Sequence, residues 1–203
     1  MSKDSPRRIA PLISLGIAAV MTLFIVVLVV SSQRDIETAQ TPLLLKPAPE
    51  IISTTYDDKD FVLSHRKGSW VVLNFFNSTC VPCKREHSEL VKFYENQKLL
   101  NGTGSELYTI VNDDDEQAVQ SFFDARGGGW PIIHDEDANI AVDYGIAKVP
   151  ETWLISPTGL VVQRFTGQVT AELLGTAIAA MSGDSGQCCH LASLKSSVGH
   201  HGF

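Results

Sequence analysis

The stretch Asn74-Phe75-Phe76-Asn77-Ser78-Thr79-Cys80-Val81-Pro82-Cys83-Lys84-Arg85-Glu86-His87 decides the fold. It begins inside Trp70–Phe76, a nearly continuous apolar run of the kind expected of a strand buried on both faces. A helix is expected from about Cys80 to Lys98. A buried strand therefore delivers a C-x-x-C pair to the start of a helix. Unpaired backbone N–H groups and the helix dipole favour a thiolate there, so Cys80 is expected to attack as the nucleophile. Cys83, one turn in, is expected to be more buried and to resolve the mixed disulfide. Pro82 falls in the first helical turn, where a missing N–H costs little.

Other readings of the pair compete with this one. An inert structural disulfide has the same spacing. A zinc half-site would need a second ligand pair at suitable spacing, and Cys188-Cys189-His190 does not supply it. A peroxidatic site would carry Thr three residues before its Cys, where this chain has Asn77. The redox reading is the one favoured. Glu86 lies three residues after Cys83 and shares its helix face. It is either a partly buried acid that exchanges a proton with the thiol or an exposed residue in an ion pair. Lys84 and His87 read as solvated helix residues.

A second signal is Lys148-Val149-Pro150-Glu151-Thr152-Trp153. A proline directly before a buried-looking strand is oddly placed for a regular ladder. It reads as a cis-proline that turns the chain beside the cysteines, with a plain trans proline at the strand start as the alternative. Val149 could then offer backbone hydrogen bonds to an extended substrate peptide.

Working outward, the alternation continues. Short strands are expected at Glu50–Tyr56 and Phe61–Ser64, a central one at Glu106–Val111, and two more at Glu151–Ile155 and Leu160–Phe165 flanking a Ser156-Pro157-Thr158-Gly159 turn. Helices are expected at Asp115–Ala125, Ala138–Tyr144 and Thr170–Met181. Strand–helix alternation followed by a hairpin and a closing helix indicates an α/β sandwich with a mixed central sheet.

Ahead of this, Ile9 to Val30 carries no charged residue over 22 positions, roughly 33 Å as a helix and enough to cross a bilayer core. Lys3, Arg7 and Arg8 precede it, which keeps residues 1–8 in the cytoplasm and puts the catalytic domain on the extracytoplasmic side. A cleaved signal peptide would have a shorter apolar core and a better cleavage site than Val29-Val30-Ser31. The expected organisation is a cytoplasmic N-terminus at 1–8, a transmembrane anchor at 9–30, a linker at 31–46, a domain at 47–182 and a disordered tail at 183–203. That tail holds Cys188, Cys189, His190, His200 and His201, of which the last two read as passive. Four cysteines in 203 residues are too few for a disulfide-stapled scaffold. A formal charge of −7 argues against a nucleic-acid partner. A monomer is the default expectation.

Several of these pieces together resemble the thioredoxin superfamily. Specifically, they resemble its membrane-tethered DsbE/CcmG group of cytochrome c maturation proteins, with TlpA and ResA as near relatives. The resemblance covers about residues 42–182. It rests on Thr41-Pro42-Leu43-Leu44-Leu45-Lys46-Pro47-Ala48-Pro49-Glu50, on Val72-Leu73-Asn74-Phe75-Phe76, on Cys80-Val81-Pro82-Cys83-Lys84-Arg85-Glu86-His87, and on Asp143-Tyr144-Gly145-Ile146 leading into Val149-Pro150-Glu151-Thr152. It implies a thioredoxin-like fold with Cys80 as nucleophile, Cys83 as resolving thiol, Glu86 as the active-site acid and Pro150 in the cis form. It also implies a reductant of apocytochrome c, recharged by a membrane thiol reductase of the DsbD/CcdA type; separately, no cofactor and no metal are expected. Thr79 departs from the group, which usually has Trp before the first Cys. Two other functions compete: a general extracytoplasmic dithiol oxidoreductase, or an oxidant of secreted proteins, and a copper metallochaperone with His134 as the distal ligand.

Overall fold

The computed structural model describes residues 10–31, 37–38, 41–100 and 102–183. It separates into an N-terminal unit, which contains helix α1 (Ala10–Ser31), and the folded unit that follows. The side chains described along α1 are those of residues 16–26, all of them exposed. Those at both of its ends lie outside the described residues. Among the described residues no helix is both long and apolar enough to cross a membrane.

The second unit is built on strands β1 (Glu37–Thr38), β4 (Val71–Phe76), β5 (Glu106–Val111), β6 (Ile132–His134), β7 (Glu151–Ile155) and β8 (Val161–Thr166), with a separate hairpin of β2 (Ile52–Thr54) and β3 (Asp60–Val62). Its helices are α2 (Val81–Lys98), α3 (Glu116–Arg126), α4 (Asn139–Asp143) and α5 (Ala171–Met181). The large sheet runs β1-β8-β7-β4-β5-β6. Strands β4, β5 and β6 are parallel, while β4–β7, β7–β8 and β8–β1 are antiparallel. This is the mixed α/β sandwich expected from the strand–helix alternation.

All six residues of β4 are buried, as a central strand covered on both faces requires. The period of two divides them. Leu73 and Phe75 pack with Ile110, Tyr144 and Trp153 on one face, and Val72 and Phe76 pack with Leu90, Phe93 and Leu154 on the other. Asn74 therefore points to the second face, toward α2. On β7, Thr152 shares that face with Leu154 and sits directly opposite Asn74 in the antiparallel register.

Several elements differ from expectation. Strand β3 stops at Val62 because Leu63–Arg66 wind into a 3₁₀ turn. The three-residue β6 is not anticipated, being too short to show a period. The expected linker at 31–46 contributes β1 and two ladder-like bonds, Leu45 N–H to Val161 O at 2.7 Å and Val161 N–H to Lys46 O at 2.9 Å. Edge pairing of this kind is set by backbone groups and leaves little trace in side-chain pattern. Residues 1–9 and the tail from 184, with Cys188, Cys189, His190, His200 and His201, lie outside the described residues.

Candidate active site

Cys80 is the N-cap of α2, and its Sγ lies 3.1 Å from the backbone N–H of Cys83. Val81 and Pro82 fill the first helical positions. Cys80 and Cys83 are joined as a disulfide with Cα atoms 5.3 Å apart. Cys80 is partly exposed while Cys83 is buried, so only the first sulfur is open to a partner. The strand end, the four-residue loop and the helix start thus present one sulfur outward and hold the other in the core.

The Val149–Pro150 peptide is cis. The Val149 carbonyl oxygen lies 3.6 Å from Cys80 Sγ, and the Pro150 carbonyl accepts from Gly167 N–H at 2.9 Å. Immediately after it, Glu151 is buried and paired with Arg164. Nε donates to Oε2 and Nη2 to Oε1, both at 2.9 Å, and the guanidinium lies over the Trp153 ring at 5.1 Å.

Of the two readings of Glu86, the structure supports the buried one. Its side chain is 2 % exposed, on the stripe of α2 that also carries Cys83, Leu90 and Phe93. Oε1 accepts from Asn74 Nδ2 at 3.0 Å and from the Thr152 hydroxyl at 3.4 Å, while Oε2 has no partner. Loss of hydration pushes the carboxyl up to about 8, against the opposing effects of Thr152, the Val169 backbone, which lies near but makes no full hydrogen bond, and Asn74. An acid so placed titrates close to a thiol and can exchange a proton with one. Asn74 and Thr152 are missed by sequence reading. The available signal is a lone amide inside the apolar run Val71–Phe76.

His87 requires correction, because it is buried rather than solvated. Its Nε2 lies 2.7 Å from the Gly127 carbonyl oxygen, and its ring packs against Phe122, Phe123 and Trp130. Desolvation lowers its basicity, so the neutral ring with Nε2–H as donor is the form that fits. Lys84 is partly exposed. His134, the distal candidate of the copper reading, stacks on Tyr56 with ring centroids 4.2 Å apart. Among the described residues no cluster of three or more His, Cys, Asp or Glu side chains could hold a metal ion.

Comparison with known proteins places this geometry. A profile of the AhpC/TSA family matches residues 44–164. The chain belongs to the AhpC/TSA family. It is 31% identical over 127 residues to thiol-disulfide oxidoreductase ResA of Bacillus subtilis, covering 63% of this chain and 69% of that protein. It is 34% identical over 112 residues to ResA of Halalkalibacterium halodurans, covering 55% and 62%. Among solved structures it resembles StoA from Bacillus subtilis, with a TM-score of 0.55 and 25% identity over 63% of this chain and 94% of that one. A DsbF homologue from Corynebacterium diphtheriae gives a TM-score of 0.59 and 25% identity over 66% and 86%. The fold is thioredoxin-like, and the protein is a thiol–disulfide oxidoreductase.

Proposed function

We propose that this oxidoreductase reduces the disulfide of apocytochrome c before haem attachment, outside the cytoplasm, tethered by the apolar segment 9–30. In this reading residues 1–8 are cytoplasmic, 31–46 lead out from the membrane, 47–182 form the catalytic domain and 183–203 trail from it. The observation that carries the redox part is the partly exposed Cys80 sulfur against the Val149 carbonyl, with Cys83 and Glu86 buried one turn behind it. The resemblance of Tyr144-Gly145 and Pro150-Glu151-Thr152 to the DsbE/CcmG pattern supports the choice of substrate.

The Cys80 thiolate attacks one substrate sulfur. The substrate S–S bond breaks, a Cys80–substrate disulfide forms, and the leaving thiolate takes a proton. Val149 and Pro150 line the substrate as an extended strand. Cys83 then gives up its proton, with Glu86 as the nearby acceptor, and attacks Cys80 Sγ. The second substrate thiol departs and the Cys80–Cys83 bond closes. Two electrons have passed to the substrate, and a membrane thiol reductase of the DsbD/CcdA type returns them.

The test is the equilibrium reduction potential of the pair in the full-length protein in detergent. A value near that of thioredoxin, about −270 mV, is expected. A value near about −120 mV would make the protein an oxidant and remove apocytochrome c as its substrate. Intact cytochrome c assembly in cells carrying Cys80→Ala would refute the substrate assignment independently.

A further inference from the structure

The loop that carries Cys80 is gripped from outside its own helix. Ser78 is buried, and both its backbone N–H and its hydroxyl donate to the Asp114 carboxylate, the hydroxyl at 2.7 Å. Asn77 Nδ2 donates to the Asp113 carbonyl at 3.1 Å, and Asn77 Oδ1 in turn accepts from the backbone N–H and hydroxyl of Thr79. Cys80 N–H closes the turn onto the Asn77 carbonyl at 3.1 Å.

The gripping side is the run Asp113-Asp114-Asp115 between β5 and α3, and its members have separate tasks. Asp113 takes a left-handed φ of 50°, a corner that Asp tolerates better than most residues. Asp115 caps α3 by accepting from Ala118 N–H at 2.7 Å. Asp114, between them, reaches across to Ser78. A single short carboxylate thereby ties the approach to the nucleophile to a different strand.

We infer that Asp114 is a positioning residue for thiol–disulfide exchange, fixing the Ser78–Cys80 approach and holding a negative charge that disfavours the Cys80 thiolate and keeps the pair reducing. This rests on Cys80 being the nucleophile. Ser78 is two residues from Cys80, at most about 7.6 Å between their Cα atoms, which puts the carboxylate on the order of 10 Å from the sulfur. The charge reaches beyond its own loop. Burial, with Glu116, Asp114, Glu136 and Asp115 adding to it, pushes Tyr56 up to about 12. Other ionisable groups on the elements that carry or contact the Cys80 loop are Lys84 and Glu86 on α2, Lys148 before Val149, and Asp113, Asp115 and Glu116 next to Asp114 in the chain.

At about 10 Å, one unit of charge changes the thiolate equilibrium by about twofold at the dielectric of bulk water and about sixteenfold at the effective value of about 20 near a protein surface, so several-fold at this partly solvated site. The equilibrium constant with glutathione follows in the same direction, where tenfold corresponds to about 30 mV.

The experiment compares the full-length parent with Asp114→Asn and Ser78→Ala in detergent. Cys80 alkylation is followed against pH, with the modified residue identified by mass spectrometry, together with the glutathione equilibrium. Asp114→Asn is expected to shift the alkylation profile to lower pH and the equilibrium several-fold toward the dithiol. Ser78→Ala keeps the charge and one of the two tethers, and is expected to move both by less than twofold. Asp114→Ser, shorter and uncharged, is the second variant should Asp114→Asn fail to fold, and is expected to act in the same direction. Equal shifts in the Asp114 and Ser78 variants, or none in the Asp114 variants, would overturn the inference while leaving Cys80 as nucleophile. Alkylation of Cys83 instead of Cys80 in the parent would overturn that assignment and the inference with it.

Discussion

Replacing Glu86 by Gln should remove a fall in stability with rising pH, and the size of the effect follows from where the carboxyl sits. The unfolded chain releases this proton near 4.5, whereas the folded protein holds it up to about 8. Between those values the folded state binds more protons, so stability falls as pH rises. The contribution is fully present below about pH 4.5 and is lost by about pH 8 or above. At 1.36 kcal/mol per pH unit of displacement, the total is about 5 kcal/mol, of which about 3 kcal/mol is lost by pH 7. Gln keeps an acceptor for Asn74 Nδ2 but places an amide N–H₂ where Oε2 has no partner, at a cost of about 1–3 kcal/mol. The variant should therefore be slightly less stable than the parent near pH 5 and more stable by a few kcal/mol near pH 9. Urea denaturation of both full-length proteins in one detergent, disulfide closed, at intervals from pH 5 to 9, gives the two curves. All other titrating groups are common to both, so their difference isolates Glu86. Parallel curves would refute the reasoning, since they would mean that Glu86 titrates alike in the folded and unfolded chains.

Cys83→Ala should trap a stable mixed disulfide through Cys80 when challenged with a disulfide peptide, and Cys80→Ala should not. Non-reducing electrophoresis distinguishes them, and trapping by the second variant would reverse the two roles. Arg164→Met should lower the unfolding free energy by about 3–5 kcal/mol, because it leaves the Glu151 carboxylate buried without its bidentate partner. A loss under 1 kcal/mol in denaturant titration would show that the pair is solvated. Gly128→Ala should cost about 2 kcal/mol or more, since φ is +120° and the new Cβ would stand 2.9 Å from Phe123 Cδ1 and 3.2 Å from His87 Cε1. A melting temperature equal to the parent's would contradict it.

The different fates of Cys80, Glu86, His87 and Asp114 show where sequence stops carrying the site. Cys80 and Cys83 are readable because their role depends on local geometry, a strand that ends and a helix that begins within a few residues. Glu86 is half readable. Helix spacing puts it on the face of Cys83, but whether that face is inside depends on Asn74, from the strand just before the helix, and on Thr152, from a strand far along the chain, which meet only through the antiparallel register of β4 and β7. His87 defeats a composition-based reading because Lys84, Arg85, Glu86, Ser88 and Glu89 make its neighbourhood look wet. Extending the 3.6-residue period from Cys83 through Leu90 to Phe93 places position 87 inside, and the aromatic rings that receive it come from α3 and the segment after it. Asp114 gives no period at all, and in the sequence it is one of three aspartates before a helix. Only the approach of two loops, each at the C-terminal end of a parallel strand, sets its carboxylate against Ser78. In an open α/β sheet this edge is where loops from separate strands meet, so the residues that tune a nucleophile come from there and are ones its own motif cannot announce.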